Sequence, residues 1–285
     1  MKEIKLHADD LGFTKEINKN ISKSIDEGAV KSVSLIVNGY ALDDAIEKIY
    51  SKNIVSYIHL NLSLGKPISK DILVSKYLCD QNQYFNLSFI KLFFYNFILS
   101  KIKRDNLKNA IKIELEKQIQ TYIKKTNKTN IYIDSHEHFH LLPIILDAIL
   151  LLKKKYNIRK IRVPKEKINF FDIMNLYNFV NILKVLILNK LSINLIKKIK
   201  LSNIKFNKFF IGVLNTNNMK IKNILKCINK LNVKDYNELI ILIHPGYSPY
   251  NEGKYFKKRK EWAYFNSKKR LDELNLSINI KNINF

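Results

Sequence analysis

Short apolar runs alternate along this chain with stretches of helical period. Residues Lys2–His7 alternate weakly and predict a first buried strand, followed by a turn at Asp9-Asp10-Leu11-Gly12. Thr14 is placed to cap a helix over Lys15–Glu27, where Ile17, Ile21 and Ile25 recur every four residues and Gly28 is the stop signal. A second strand is expected over Ser32–Val37, a helix over Ala41–Tyr50, and a third strand over Val55–Leu60 with His59 near its end. Strand and helix alternate from the start, which predicts a parallel sheet or barrel.

The rhythm breaks between about 65 and 130. Pro67 opens a long insertion, and the aromatic run Phe89–Phe97 reads as helix packing rather than a ligand platform. Asp105 is the candidate cap of the next helix, whose apolar stripe is Leu107, Ile111, Leu115, Ile119 and Tyr122. A strand Ile131–Asp134, a helix Pro143–Lys155 and a short strand Lys160–Pro164 follow. A second insertion is expected at about 169–208. Within it Val180–Lys200 reads as an outer barrel helix with its lysines in water, and a membrane-surface helix is the alternative. Phe209–Val213 is strand-like, Met219–Leu231 helical, and Glu238–Ile243 a strongly apolar strand that delivers His244. A charged helix over Lys257–Leu274, carrying Trp262, is expected to end the fold. With no internal repeat and no Gly/Ser linker, residues 1–285 predict one domain, an α/β barrel with helical insertions.

Composition narrows the setting. Hydrophobic residues make up 46% of the 285, enough for a sizeable core. No apolar run is expected to reach the roughly 20 residues that span a bilayer, and the N-terminus lacks a signal-peptide core. Cys79 and Cys227 are the only cysteines, so no disulfide framework is implied and a reducing cytoplasm is the expected location. The net charge of +25 admits a polyanion-binding reading. The lysines are spread along the chain, however, and Gly is only 7 and Pro 5, a mixture that fits compositional drift in an AT-rich genome.

The chemistry gathers at strand ends. Ile131–His140 places three of six histidines within five residues, directly after a strand and beside Asp134. Asp9-Asp10 follows the first strand, His59 closes the third, and His244 follows the apolar strand near the C-terminus. In parallel α/β folds those ends share one mouth, so residues distant in sequence converge there. One carboxylate with two imidazoles makes an open, catalytic kind of metal site, and a second carboxylate and a further histidine can move protons. Singly, each piece has a plain reading. The histidine cluster can be a polar turn, Asp-Asp a helix cap, His59 a core histidine, and His244-Pro245 the end of a strand.

In combination these segments resemble the YdjC-like carbohydrate deacetylases, a group that includes chitooligosaccharide deacetylase and hopanoid-associated deacetylase-like proteins. The matching stretches are His7–Phe13, Val33–Gly39, His59–Leu62, Asp134–Pro143 and His244–Tyr247, with Arg162-Val163-Pro164 and Arg259-Lys260-Glu261 as weaker echoes. The resemblance implies a distorted, TIM-like (β/α) barrel of the polysaccharide-deacetylase kind. It also implies one divalent metal ion, Mg2+ or Zn2+, and removal of N-acetyl groups from an amino sugar or an N-acetylglucosamine-containing oligosaccharide. Carried over by position, Asp10, His59 and His136 are the expected metal ligands, Asp9 the general base and His244 the general acid. His138, Asn61, Arg162 and Tyr247 are the expected substrate contacts. His7 stands where the family commonly has asparagine, either orienting an aspartate or merely ending a strand. A sugar or oligosaccharide is the expected partner; nucleic acid and a transmembrane segment are not expected, and a homodimer is compatible with the sequence. The competing functions are another metal-dependent barrel hydrolase, of amidohydrolase or phosphoesterase type, and a basic polyanion binder.

Overall fold

The computed structural model describes residues 3–168, 179–231, 238–257 and 259–280. Among them seven parallel strands form one sheet: β1 (Glu3–Leu11), β2 (Val30–Leu35), β3 (Val55–Leu60), β4 (Ile131–Ser135), β5 (Ile158–Ile161), β6 (Phe209–Ile211) and β7 (Glu238–Ile243). Their spatial order is β5-β4-β3-β2-β1-β7-β6. The sheet curls on itself. Arg162, one residue beyond β5, reaches Asp9 of β1 although three strands lie between them in the order. Among the described residues the two edges are joined by a bridge between Lys160 and Lys205, the latter ahead of β6, and by Asn207, whose side chain bonds the backbone of Val163. The architecture is therefore the expected distorted α/β barrel, curled but incompletely closed.

Helices cover the outside: α1 (Lys15–Asp26), α2 (Leu42–Ile49), α3 (Ile72–Leu78), α4 (Phe89–Ile98), α5 (Lys101–Thr126), α6 (Pro143–Leu152), α7 (Phe179–Leu201), α8 (Ile221–Asn229), α9 (Arg259–Phe265) and α10 (Lys268–Asn279). Local chemistry explains several boundaries. Thr14 caps α1 by accepting from the Ile17 N–H, and Ile17 and Ile21 are buried beneath it. Pro143 opens α6, where its missing N–H costs nothing. The stripe Leu107, Ile111, Leu115, Ile119 and Tyr122 of α5 is buried as its spacing requires. Beside it Glu114 and Gln118 are buried too. Glu114 accepts from the backbone N–H groups of Ile68 and Ser69, and Gln118 bonds the backbone of Asn61. These two side chains tie the loop after β3 to α5.

The barrel interior is polar, unlike the aliphatic layers of a common (β/α)8 barrel. At its lower end Lys5 and Lys160 both donate to Glu238. Burial opposes ionisation of Glu238, but Lys160 outweighs it and draws the carboxyl below its usual range. Above them the Tyr57 ring packs edge-on against His7 and Tyr132.

Three expectations need correction. Asp105 caps nothing: α5 already begins at Lys101, after Ser100. The charged segment near the C-terminus is two helices, α9 and α10, because Ser267 starts a new helix by accepting from the Lys269 N–H. Finally, α7 is long and apolar enough to cross a membrane by length and composition, with a third of its most apolar window buried. Isolated lysines punctuate that run in the sequence without making its average polar. The expected insertions correspond to α3–α5 and to the segment holding α7, of which residues 169–178 lie outside the described residues.

Candidate active site

Asp10 carries the first unusual feature of the site. Its φ is +73°, and the register of β1 against β2 shifts between Ala8 and Leu11. A regular strand would send Asp9 and Asp10 to opposite faces. The irregularity turns both carboxylates into the barrel mouth, and aspartate is among the few residues that tolerate the left-handed region. Gly12, at φ +97°, completes the turn; a Cβ there would lie 2.6 Å from the Ile36 carbonyl oxygen.

Strand pairing sets the next contacts. His59 of β3 sits opposite Asp134 of β4 in the parallel register. His59 Nδ1–H donates to Asp134 Oδ1 at 2.6 Å, which leaves Nε2 as a lone-pair donor facing Asp10 Oδ1 and Asp9 Oδ2, each 3.8 Å away. The other Asp134 oxygen accepts from Ser34 Oγ at 2.5 Å. Because Ser34 spends its proton there, it accepts from His7 Nε2–H at 2.7 Å, while His7 Nδ1 faces Ser32 Oγ at 2.8 Å. His7 Nε2 also lies 3.2 Å from Asp9 Oδ1. Of the two readings left open for His7, the structure favours the orienting one.

The histidine cluster is a 3₁₀ turn, His136–Leu141, rather than an extended segment. Glu137 and His138 both have positive φ, 52° and 58°, so the three histidines do not share a face. His136 alone meets Asp10, Nδ1 to Oδ1 at 3.2 Å. His140 is fully buried between Ser135 Oγ and the Arg162 carbonyl; burial and Arg162 push it down to about 4 against the pull of Asp134, so it is a neutral structural group. His138 lies edge-on to Phe210, and its buried Nδ1 has no protein partner. Burial, then Arg162, hold it well below its ordinary pKa and therefore neutral.

Two arginines set the electrostatics. Arg162 forks onto Asp9, Nη1 to Oδ1 at 2.6 Å and Nη2 to Oδ2 at 2.7 Å, and Nη1 lies 3.1 Å from Asp134. Arg270 of α10 donates both terminal nitrogens to Asp10 Oδ2 at 3.0 Å and its Nε to the Gly246 carbonyl. Burial favours the neutral form of all three aspartates. Arg162 and His59 outweigh it at Asp9 and Asp134, and Arg270 and His136 do so at Asp10, so each carboxyl is held well below the usual range. Three buried carboxylates thus face two buried guanidiniums, and Asp10 draws the pKa of His136 up against the effect of burial, so the excess negative charge sits where Asp10 meets the imidazoles. Charge of that kind is kept inside a protein when a cation completes it.

Asp10, His59 and His136 present ligand atoms all within 4.8 Å of one another. Asp10 Oδ1 is turned away from Arg270, and His59 has the tautomer a cation needs. This donor set fits a divalent ion. His7, Asp9 and Asp134 also cluster within that distance, but the Arg162 guanidinium already lies between Asp9 and Asp134. A second cation has no place there.

The remaining expected residues are scattered in role. His244 follows β7; its backbone N–H donates to Glu273 at 2.5 Å, and its ring Nδ1 is 3.6 Å from the same carboxylate. Tyr247 is half-buried three residues on. Two of the expected substrate contacts have partners within the protein. Arg162 is fully buried, with its guanidinium engaged by Asp9. Asn61 is fully buried as well: its side chain accepts from the Ser63 and Leu64 N–H groups and donates to the Leu64 carbonyl, building the loop after His59. Arg270, Glu273, Ser34 and the orienting part of Asp134 were not singled out from sequence.

Several known proteins share this chain's pattern. A relative from Thermoanaerobacter pseudethanolicus, carbohydrate deacetylase by name, is 29% identical over 183 residues, 63% of this chain and 69% of its own length. One of the same name from Oceanobacillus iheyensis is 31% identical over 156 residues, 54% of this chain and 62% of its own. The human carbohydrate deacetylase is 28% identical over 160 residues, 56% of this chain and 48% of its own. The matched part therefore spans between about half and just over two thirds of these relatives. A crystal structure from Enterococcus faecalis V583, of a protein provisionally described as a cellobiose-phosphate cleavage protein, superposes with a TM-score of 0.64 at 18% identity. It covers 99% of this chain and 95% of its own, which shows a shared fold. The profile of the family described as YdjC-like protein matches residues 3–276, taking in every strand from β1 to β7 and both arginines of the site, and the chain belongs to that family.

Proposed function

We propose that the protein is a metal-dependent carbohydrate deacetylase, hydrolysing the N-acetyl group of an amino sugar. The names of its relatives support the reaction class. The observation that carries the reading is the division of labour between neighbouring carboxylates: Asp10 joins two imidazoles, while Asp9 is locked onto Arg162 beside them. Asp10, His59 and His136 would hold a divalent ion such as Mg2+ or Zn2+. Such an ion, when bound, supplies Lewis-acid chemistry, polarising the acetamide carbonyl and acidifying water.

The chain's own groups do the rest. Arg162 keeps Asp9 ionised and fixes its plane, so a proton taken from the attacking water always arrives at one place. A carboxylate of such low proton affinity is a weak base towards free water, so Asp9 would act on water that a bound divalent ion has acidified. Asp134 and Ser34 hold the His59 ring in position. His244, with Glu273 beside its ring, is placed to protonate the departing sugar amine. Among the expected substrate contacts, His138, whose buried Nδ1 has no protein partner, and the half-buried Tyr247 are candidates to meet the sugar. Cys79 and Cys227 are not joined in a disulfide, which is compatible with the cytoplasmic setting proposed for the chain.

Acetate release from a panel of N-acetylglucosamine oligosaccharides, measured with purified protein before and after EDTA, tests the reading. Release that stops with chelator and returns with added Mg2+ or Zn2+ is the expected result. Release indifferent to chelator would contradict the metal-dependent mechanism. Hydrolysis of phosphoesters but of no acetamide would reassign the reaction.

A further inference from the structure

Two helices beside the site leave apolar side chains in water. The inner face of α7, Ile182, Val185, Leu188, Leu195 and Ile199, is buried against the barrel. The outer face is apolar as well: Val180, Leu183, Leu186, Ile187 and Ile193 are 45% to 65% exposed. Val180, Leu183, Leu186 and Ile187 follow one another at steps of three and four along one stripe, and Ile193 continues it beyond Lys190. On α4 and the first turn of α5, Ile90, Phe94, Ile98 and Ile102 recur every four residues and are 52% to 75% exposed. Both helices rest on the turn that carries His136, α4 through Phe89 against Phe139 and α7 directly. Exposed apolar stripes of this kind on neighbouring helices mark an interaction site.

Charge identifies the occupant. α7 carries Lys184, Lys190, Lys197, Lys198 and Lys200 and no acidic residue. Residues 89–104 carry Lys91, Lys101, Lys103 and Arg104, again without an acid. The whole chain is at +25. A second copy docking through this face would set lysines against lysines, which is repulsive. A helix spanning a bilayer would have to strip its inner face from the barrel. Apolar side chains ringed by lysines instead match the boundary between acyl chains and anionic headgroups, where the chains of lysine lie along the apolar zone and their ammonium groups reach phosphate.

We propose that the face formed by α7 and α4 docks the protein on an anionic lipid bilayer, lying in the headgroup region with the barrel mouth next to the membrane. The claim is independent of the reaction catalysed.

Flotation of the purified full chain with vesicles tests it. Vesicles of phosphatidylcholine alone are compared with vesicles containing one part phosphatidylglycerol to two of phosphatidylcholine. Binding to the anionic vesicles alone, weakened by high salt, is expected. Replacing Leu183, Leu186 and Ile187 together by serine should lower vesicle binding by about tenfold or more, since each removes exposed apolar area from the contact. Ile90→Ser with Phe94→Ser should act in the same direction from the other helix. Both variants should keep the wild-type circular dichroism spectrum and melting profile, since the side chains are exposed. Equal binding to neutral and anionic vesicles, no binding to either, or binding unchanged in both variants would overturn the proposal. So would a dimer in solution that both sets of substitutions dissociate, because the face would then be covered by a second copy.

Discussion

Arg162→Met is expected to destabilise the protein by about 3–5 kcal/mol, the usual penalty for removing one partner of a buried ion pair. The guanidinium is fully buried, forks onto Asp9 and touches Asp134, and nothing aqueous replaces it. Urea unfolding at neutral pH measures the loss. A loss below about 1 kcal/mol would mean that another group, such as His7, already neutralises the pair. The pH dependence follows with a definite sign. Asp9 and Asp134 have folded pKa values depressed below the unfolded value of about 3.9. Their ionisation therefore stabilises the wild-type fold fully above about pH 4, and that contribution is lost as pH falls through the lower, folded values. Without Arg162 the depression shrinks or reverses. The variant should be weaker at neutral pH and lose less on acidification than wild type.

Asp9→Asn is expected to slow acetate release about a thousandfold while leaving the cation bound, as befits a general base that is not a ligand. The amide keeps the shape of the carboxylate, and its oxygen still accepts from Arg162, but it takes up no proton. Single-turnover acetate release together with metal content measures both halves. Turnover within a few-fold of wild type would remove Asp9 as the base and point to a different proton acceptor. Loss of the cation as well would show that Asp9, facing His59 at 3.8 Å, belongs to the ligand set.

Much of this arrangement is legible in the order of residues alone. Strand and helix periodicities differ sharply, so the alternation from Lys2 to Leu60 predicts the parallel sheet. Strand ends share one mouth, which brings Asp10, His59 and His136 together across 126 residues. What escapes a sequence reading is what depends on contact through space. Arg162 reads as part of a short strand and as a substrate contact, and only the curl of the sheet shows that it belongs to Asp9. Arg270 sits in an unremarkable charged helix, 260 residues from the Asp10 it holds. A signal for both is present: arginines are only 5 of the 50 lysines and arginines. Where lysine is the default cation, an arginine marks a place that needs a rigid fork. The histidine turn offers no comparable signal. Glu137 and His138 adopt left-handed conformations without a glycine, so nothing in the order of residues shows that His136, His138 and His140 face different ways. The role of His7 is decidable from alternation, which puts Lys5, His7 and Asp9 on one face of β1.

The central claim is that Asp10, His59 and His136 hold one catalytic cation while Asp9 stands beside it. Its most direct test is calorimetric titration of Zn2+ and Mg2+ into chelator-treated protein, wild type alongside Asp10→Asn and Asp9→Asn. The account predicts one saturable site per chain in the wild type and in Asp9→Asn, and none in Asp10→Asn with the fold intact by circular dichroism. Undiminished binding in a folded Asp10→Asn protein would contradict it, because the site would then lie elsewhere and the mouth of the barrel would need another chemistry.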